Sequence, residues 1–293
     1  GQGFGKGTVD EATLWRIDEV LESGRFEYEP GDFCDIRVGH VKLITQAQVH
    51  QVRAKWPRIE PGARLSNLMR EELTRRLDSR LASMAASDEA FDEVVSLPHG
   101  EQLAAFGEPV NIDDDKEVRK AALKLIRGRF DIAYGMIARD EWLHVDNLGR
   151  RLIGAESLPP AAWLYLKIAC TGLSNPDARY VMIDEVQDYT IPQLAVLARF
   201  FPRAHFMLLG DENQAIREGG LTFAQVKSTF ERLRGEVSEC HLMTSYRSTP
   251  SITDLFARLL PESERMEVSS VQRESSAPRV EVFEDKDAWT EAV

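Results

Sequence analysis

Tyr180-Val181-Met182-Ile183-Asp184-Glu185-Val186-Gln187-Asp188 opens with an unbroken apolar run, Tyr180 to Ile183, that stops at two adjacent carboxylates. A short continuous apolar run bounded by polar residues is the pattern of a strand covered on both faces, as in a parallel sheet flanked by helices. The residues that follow extend the pattern. Pro192 to Phe200 reads as a helix, His205 to Leu209 as a second strand, Thr222 to Leu233 as a helix and Ser238 to Met243 as a third strand. Alternation of this kind predicts a βαβαβ arrangement and places the chain in the α/β class. In such sheets ligands gather at the carboxyl ends of the strands. Polar clusters fall at all three of these ends: Asp184 to Asp188, Gly210 to Gln214, and Ser245 to Arg247.

The chemistry of the first cluster follows from its residue types. A strand ending in Asp-Glu can set one carboxylate near a magnesium ion and the next beside a water that attacks a γ-phosphate, the two placements phosphoryl transfer needs. Magnesium keeps most of its waters and takes few protein ligands, so Asp184 alone suffices beside the phosphate oxygens of a nucleotide. Glu185 then orients or deprotonates the attacking water. An acidic turn after a strand is common by itself. The addition of Gln187, Asp188 and the Gly210-Asp211-Glu212-Asn213-Gln214 run one strand later makes the combination specific. Gly210 lets the chain turn tightly, and the Gln214 amide can donate to a phosphate oxygen or to the water. In the third cluster Tyr246 offers a ring for stacking and Arg247 a permanently charged fork for phosphate. Thr249 and Pro250 read as the N-cap and first residue of a following helix.

Before residue 150 the patterning is mostly helical. Leu65, Leu68, Met69, Leu73, Leu77, Leu81 and Met84 recur at helical spacing behind an expected N-cap at Ser66. The polar side of that helix mixes Arg70, Arg75, Arg76 and Arg80 with Glu71, Glu72 and Asp78, and is read as a solvated face with i,i+4 pairs in preference to a nucleic-acid contact. Val41 to Ile44 reads as a short strand, and Pro98 to Asp115 holds too many Gly, Pro and Asp residues for a long regular element. Asp113-Asp114-Asp115 reads as the N-terminus of a helix over Val118 to Ile126 rather than as a metal site.

Composition narrows the function classes. With 293 residues, 43% of them hydrophobic, the chain can bury a substantial core. A net charge of -12 and a pI near 5.1 argue against a surface that grips nucleic acid everywhere, leaving room for a local basic groove. Cys34, Cys170 and Cys240 fit no zinc or disulfide spacing, so all three are expected as packing residues of a protein in a reducing cytoplasm. No apolar run approaches the roughly 20 residues of a membrane helix. Gly1 in place of Met and an end at Val293 within a helical pattern give the expectation of an internal piece of a longer protein.

Set side by side, Val181 to Thr190 resembles motif II of the superfamily 1 helicases of the UvrD/Rep type, Leu209 to Ile216 their motif III, and Met243 to Pro250 their motif IV. The resemblance implies a RecA-like P-loop NTPase fold with ATP and Mg2+ in a cleft between two motor domains. It implies that Asp184 holds the magnesium, that Glu185 is the catalytic base, and that Gln187 and Gln214 lie at the nucleotide, Gln214 coupling phosphate state to DNA. Tyr246 would stack on adenine and Arg247 would contact the γ-phosphate. Leu158 to Gly172, with Trp163-Leu164-Tyr165-Leu166 and Thr171-Gly172, is similar to the segment before motif II in HelD-type proteins, helicase-like ATPases that remove bacterial RNA polymerase from nucleic acid. The domain expectation is therefore a mostly helical insertion over 1–150, part of the first RecA-like domain over 151–243, and the start of a second over 244–293, with an early strand at Pro278 to Glu284.

Two departures limit the resemblance. Gly1-Gln2-Gly3-Phe4-Gly5-Lys6-Gly7-Thr8 has Gly7 where G-x-x-x-x-G-K-[ST] requires Ser or Thr and follows no strand, so it reads as a flexible end. The phosphate cradle is expected upstream, and this chain alone is expected not to hydrolyse ATP usefully. In motif III, Gln214 is followed by Ala215-Ile216-Arg217-Glu218, leaving Arg217 as a phosphate contact and no stacking ring before Phe223, which reads as a helix core residue. The expectation is a motor that remodels polymerase complexes. The alternatives are a conventional 3′ to 5′ DNA helicase and a non-catalytic scaffold.

Overall fold

The computed structural model of the chain describes residues 11–23, 26–154, 158–211, 221–242, 244–259, 269–273, 276 and 278–279. It is mixed α/β and mostly helical, and it divides into two compact units, Gly1–Glu236 and Val237–Val293.

The first unit opens with α1 (Glu11–Glu22), then a hairpin of β1 (Ile36–Val38) and β2 (Val41–Ile44), followed by α2 (Gln46–Arg53). The expected strand at Val41 to Ile44 is thus present, paired antiparallel with β1. A run of helices follows: α3 (Ala63–Ala85), α4 (Asp88–Ser96), α5 (His99–Phe106), α6 (Asp115–Arg129), α7 (Ile132–Ala138), α8 (Val145–Ile153) and α9 (Pro160–Thr171). Helix α3 is the spine. Its Leu65, Met69, Leu73, Leu77 and Leu81 are buried along one stripe, with Leu68 and Met84 half-buried beside it. Its start differs from expectation. Gly62 is the N-cap, and Ser66 lies buried one turn inside, where its hydroxyl donates to Asp140 at 2.7 Å. A hydroxyl followed by a leucine-rich stripe signals a cap only if no distant carboxylate claims it. Helix α6 begins as expected, with the Asp114 side chain accepting from Lys116 N at 2.9 Å.

Three buried carboxylates lace these helices together. Asp140 accepts from Ser66, from Arg70 Nε at 2.8 Å and from Arg70 Nη2, while Lys167 Nζ donates to the Asp140 carbonyl at 2.6 Å. Arg70 therefore leaves the solvated face expected for it and anchors α3 to the turn after α7. Asp32, in a short 3-10 turn at Pro30–Asp32, accepts from Arg151 Nη2 at 2.5 Å and fixes that turn to α8. Asp18 accepts from the Tyr165 hydroxyl at 2.6 Å and from Arg199 Nη2 at 2.7 Å.

The α/β part follows α9. Strand β3 (Tyr180–Ile183) leads through a 3-10 turn at Val186–Asp188 into α10 (Ile191–Phe200) and then β4 (His205–Leu208), which pairs parallel with β3 in the register Tyr180↔His205 to Ile183↔Leu208. Thr190 and Gln193 form the capping box of α10, with Pro192 in its first turn. Helix α11 (Phe223–Arg234) is capped by Thr222, and Arg234 donates to the carbonyls of Pro202 and Ala204 at 2.6 and 2.7 Å, pinning the helix end to the turn before β4. Phe223 is the first, half-buried residue of α11, whose fully buried positions are Val226, Thr229 and Phe230.

Two expectations are corrected here. Residues 238–242 are not a strand; the nearest one is β5 (Thr244–Ser245), which belongs to the second unit, so the parallel sheet of the first unit has two strands among the described residues. The apolar β3–β4 pair is also not covered on both faces by the described residues, since Tyr180 is 77% and Met182 68% exposed while Ile183 is buried. Periodicity could not separate a two-sided from a one-sided strand, because β3 carries apolar residues on both sides.

In the second unit β5 pairs parallel with β6 (Ser269–Ser270), and α12 (Pro250–Leu259) starts at Pro250 as expected. Cys240 is exposed, contrary to the packing role expected of it, whereas Cys170 is buried and Cys34 half-buried. The expected strand at Pro278 to Glu284 lies largely outside the described residues. Among the described residues no helix is long and apolar enough to cross a membrane.

Candidate functional site

The carboxyl ends of β3 and β4 are joined by their own backbone. Leu209 N donates to Ile183 O at 2.8 Å, and Val186 N donates to Leu209 O at 2.9 Å. These two bonds hold the Asp184-Glu185 step at the edge of the sheet, leaving both carboxylate side chains exposed. Asp184 Oδ1 accepts from Glu185 N at 3.0 Å, and the 3-10 turn closes with Asp188 N donating to Glu185 O at 2.9 Å.

Glu185 adopts the left-handed conformation, φ 50° and ψ 47°. A non-glycine residue there costs about 1 to 2 kcal/mol and persists only where surrounding structure imposes it. Gln187 helps to impose it. It is 3% exposed, its Nε2 donates to Glu185 Oε2 at 2.7 Å, and its Oε1 accepts from Asp211 N at 3.1 Å. One amide thereby ties the acidic step after β3 to the loop after β4. The adjacency also explains Gly210. A Cβ built on it would lie 2.3 Å from Gln187 Oε1 and 3.0 Å from Val186 Cγ1. Asp188 Oδ1 is buried with no hydrogen-bond partner among the described residues.

The arrangement has chemical capacity of a definite kind. Asp184 presents an exposed carboxylate suited to a magnesium ion that receives its other ligands from water and phosphate. Glu185 presents a second one, oriented by a neutral amide that does not compete for its charge. Asp184, Glu185 and Gln187 are thus brought together.

The remaining expected site residues are placed less fully. Gln214 and Arg217 lie outside the described residues. Tyr246 and Arg247 belong to the second unit, where both are exposed, Tyr246 by 72%. Their loop is held by the chain around β6: Ser270 Oγ donates to Ser248 O at 2.5 Å, and Gln272 Nε2 donates to Tyr246 O. An exposed ring and guanidinium on a tethered loop are available for stacking and for phosphate.

The chain matches no protein-family model and no curated protein.

Gln187's part in the site was legible only as a motif member. Its two-sided bond to Glu185 and Asp211 depends on the parallel pairing of β3 with β4, a contact between residues 24 positions apart.

Proposed function

We propose that this chain is part of an ATP-driven, superfamily 1 helicase-like motor of the HelD type, in which hydrolysis remodels complexes of DNA with RNA polymerase. In this reading residues 151–243 contribute to a first RecA-like domain, 244–293 begin a second, and 1–150 are a helical insertion that the motor moves. The observation that carries the reading is the Asp184-Glu185 pair at the carboxyl edge of a parallel strand, with Glu185 held in a strained backbone and by Gln187. Asp140 shares the left-handed backbone, at φ 54°, but is buried in a network that joins helices, whereas Glu185 holds it at an exposed carboxylate, which supports a chemical reading.

ATP bound with Mg2+ would supply the phosphoryl group. Asp184 would ligate the metal directly or through water. Glu185 would take the proton of the attacking water, Gln187 would hold the Glu185 carboxylate in position, and Gln214 would sense the γ-phosphate. From the second unit Tyr246 would stack on the base and Arg247 would offset the charge that develops on the phosphate. Arg217 would meet a DNA phosphate.

The test uses the protein at its natural full length. Glu185→Gln is expected to lower the ATP turnover number by about 100-fold or more, the usual scale of a general base, while leaving nucleotide binding intact. Absence of Mg2+-dependent turnover in the wild type, or full turnover in Glu185→Gln, would overturn the ATPase reading. RNA polymerase capture together with a strand-displacement assay tests the rest: polymerase binding with weak unwinding supports it, and efficient unwinding without polymerase binding refutes the HelD assignment.

A further inference from the structure

A concavity lined by arginines lies far along the chain from the acidic edge of the sheet. It is a cavity of about 310 Å³ where the end of β2 and the start of α2 meet the middle of α3. Leu43 and Ile44, both buried, contribute apolar surface; Arg75, Arg76 and Arg80 contribute three guanidinium groups, with Gln48 and Ser79 between. Three arginines around one cavity are unexpected in a chain of net charge -12.

Of the acidic residues of α3, Glu71 is exposed and makes no ion pair with these arginines among the described residues. Asp78 is turned to other elements, accepting from Tyr134 at 2.7 Å and Arg127 at 3.2 Å. Glu72 is shared among Arg75 at 2.6 Å, Arg76 at 3.2 Å and Lys55 at 2.5 Å, so one negative charge faces three positive ones. Their hydrogen bonds hold the Glu72 carboxyl at about 2, well below its ordinary value. It therefore stays ionised across the physiological range and has no further capacity. Arg80 makes no ion pair among the described residues, and the Gln48 amide, whose oxygen caps α2, keeps its NH2 group as a donor. The pairs expected of a solvated helix face are made, Arg76 at i,i+4 and Arg75 at i,i+3, but both draw on the single Glu72 carboxylate and do not balance the face. It keeps an excess of at least two positive charges on rigid elements, gathered around a concavity.

We infer that the Arg75, Arg76 and Arg80 concavity binds phosphate-ester oxyanions, at a site separate from the Asp184-Glu185 edge. The Arg80 guanidinium, together with the Arg75 and Arg76 donors that Glu72 does not take, supplies charge and N–H groups of the kind that pair with phosphate oxygens, all from one helix. The volume exceeds what a bare ion fills and lies near the lower end for small-ligand sites. The apolar surface of Leu43 and Ile44 suits the sugar or base attached to such a phosphate. The same chemistry is offered by a nucleic-acid backbone and by a free nucleotide or pyrophosphate.

The inference does not depend on ATP hydrolysis at Glu185. Binding to the full chain is measured by anisotropy of a labelled single-stranded oligonucleotide and by calorimetry with sodium pyrophosphate. The comparison is between wild type, Arg75→Ala/Arg80→Ala, and a control with the same charge change on α6, Lys116→Ala/Lys120→Ala. The first variant is expected to lose about tenfold or more in affinity and to show a shallower dependence on salt, with the control unchanged. Loss confined to the oligonucleotide assigns a nucleic-acid backbone, and loss confined to pyrophosphate assigns a free phosphate ester; either supports the site. No binding of either probe by wild type, equal loss in both variants, or equally tight binding of poly-glutamate overturns it. Far-UV circular dichroism of each variant confirms that the fold is retained, and Arg80→Gln alone supplies a milder variant for the same measurement.

Discussion

Gln187 reaches two loops at once: its Nε2 donates to Glu185 Oε2 at 2.7 Å while its Oε1 accepts from Asp211 N at 3.1 Å. Gly210 permits this, because any Cβ there would sit 2.3 Å from that same Oε1. Gly210→Ala is therefore expected to destabilise the first unit by about 1 to 3 kcal/mol through overpacking. In a Gln187→Ala background the penalty should shrink, since the closest clash is gone and the contacts to Val186 remain. Urea denaturation of the four proteins of this double-mutant cycle measures the coupling. Additive effects would show that Gln187 does not occupy the space above Gly210.

Gly172, which ends α9 with φ +68°, faces the beginning of α3. A Cβ there would lie 2.3 Å from Ala63 Cβ and 2.6 Å from Ala63 Cα, and backbone cannot swing aside as a side-chain tip can. Gly62 N also donates to Cys170 O at 2.9 Å, so the two helix ends are fastened together at this point. Gly172→Ala is expected to cost about 2 kcal/mol or more, from left-handed strain plus displacement. Gly107→Ala, at a left-handed cap with open space around it, should cost only the strain of about 1 kcal/mol. Thermal unfolding of both variants gives the comparison, and equal losses would remove the steric argument.

The Asp18 carboxyl is pushed above its ordinary value of 3.8 chiefly by burial, which outweighs the lowering effects of the Tyr165 hydroxyl and Arg199. A carboxyl with a raised folded pKa binds its proton more tightly in the native state than in the unfolded one. Its contribution is present in full below pH 3.8 and is lost as pH rises through the folded value. Asp18→Asn removes this dependence. The stability difference between wild type and Asp18→Asn, followed by urea denaturation from pH 3.5 upward, should shift against the wild type as pH rises and then level off. A difference independent of pH would show that burial does not dominate at Asp18.

Much of the α/β part was legible because its signals are local. The helices expected over Pro192 to Phe200 and Thr222 to Leu233 are present within a residue or so of those bounds, started by capping boxes at Thr190 and Thr222. The register of β3 with β4 puts Ile183 opposite Leu208, so the acidic edge appears where the apolar run ends. What escaped reading was set by partners distant in sequence. Ser66 follows the grammar of a cap, yet Asp140, 74 positions away, takes its hydroxyl into the core. Arg70 shares a helix face with Arg75 in the sequence pattern and separates from it in space for the same reason. Glu72 and Asp78 looked equivalent as partners for the arginines of α3, but Tyr134 and Arg127 draw Asp78 away and leave the remaining cluster positive. Ser238 to Met243 had the apolar residues of a strand, but residues 238–242 form none, and Thr244–Ser245 pairs with Ser269–Ser270 instead.

The backbone of Glu185 offers a way to separate structural need from chemical need at the acidic edge. At an ordinary position glycine is less stable than alanine, because it loses more freedom on folding. With φ at 50° the order should reverse, since an alanine retains the Cβ clash of the left-handed region and a glycine does not. Glu185→Gly is thus expected to be more stable than Glu185→Ala by about 1 kcal/mol in urea denaturation. Both lose the carboxylate and with it the bond from Gln187, so that contribution cancels in the comparison. Both should also abolish ATP turnover in the full-length protein under the proposed mechanism, although one of them relieves strain. A glycine variant that gains stability and loses turnover would mean that the left-handed backbone is kept for the carboxylate it carries. A glycine variant no more stable than alanine would show that the turn around Val186–Asp188 does not hold this residue under strain, and would remove the geometric support for Glu185 as the base.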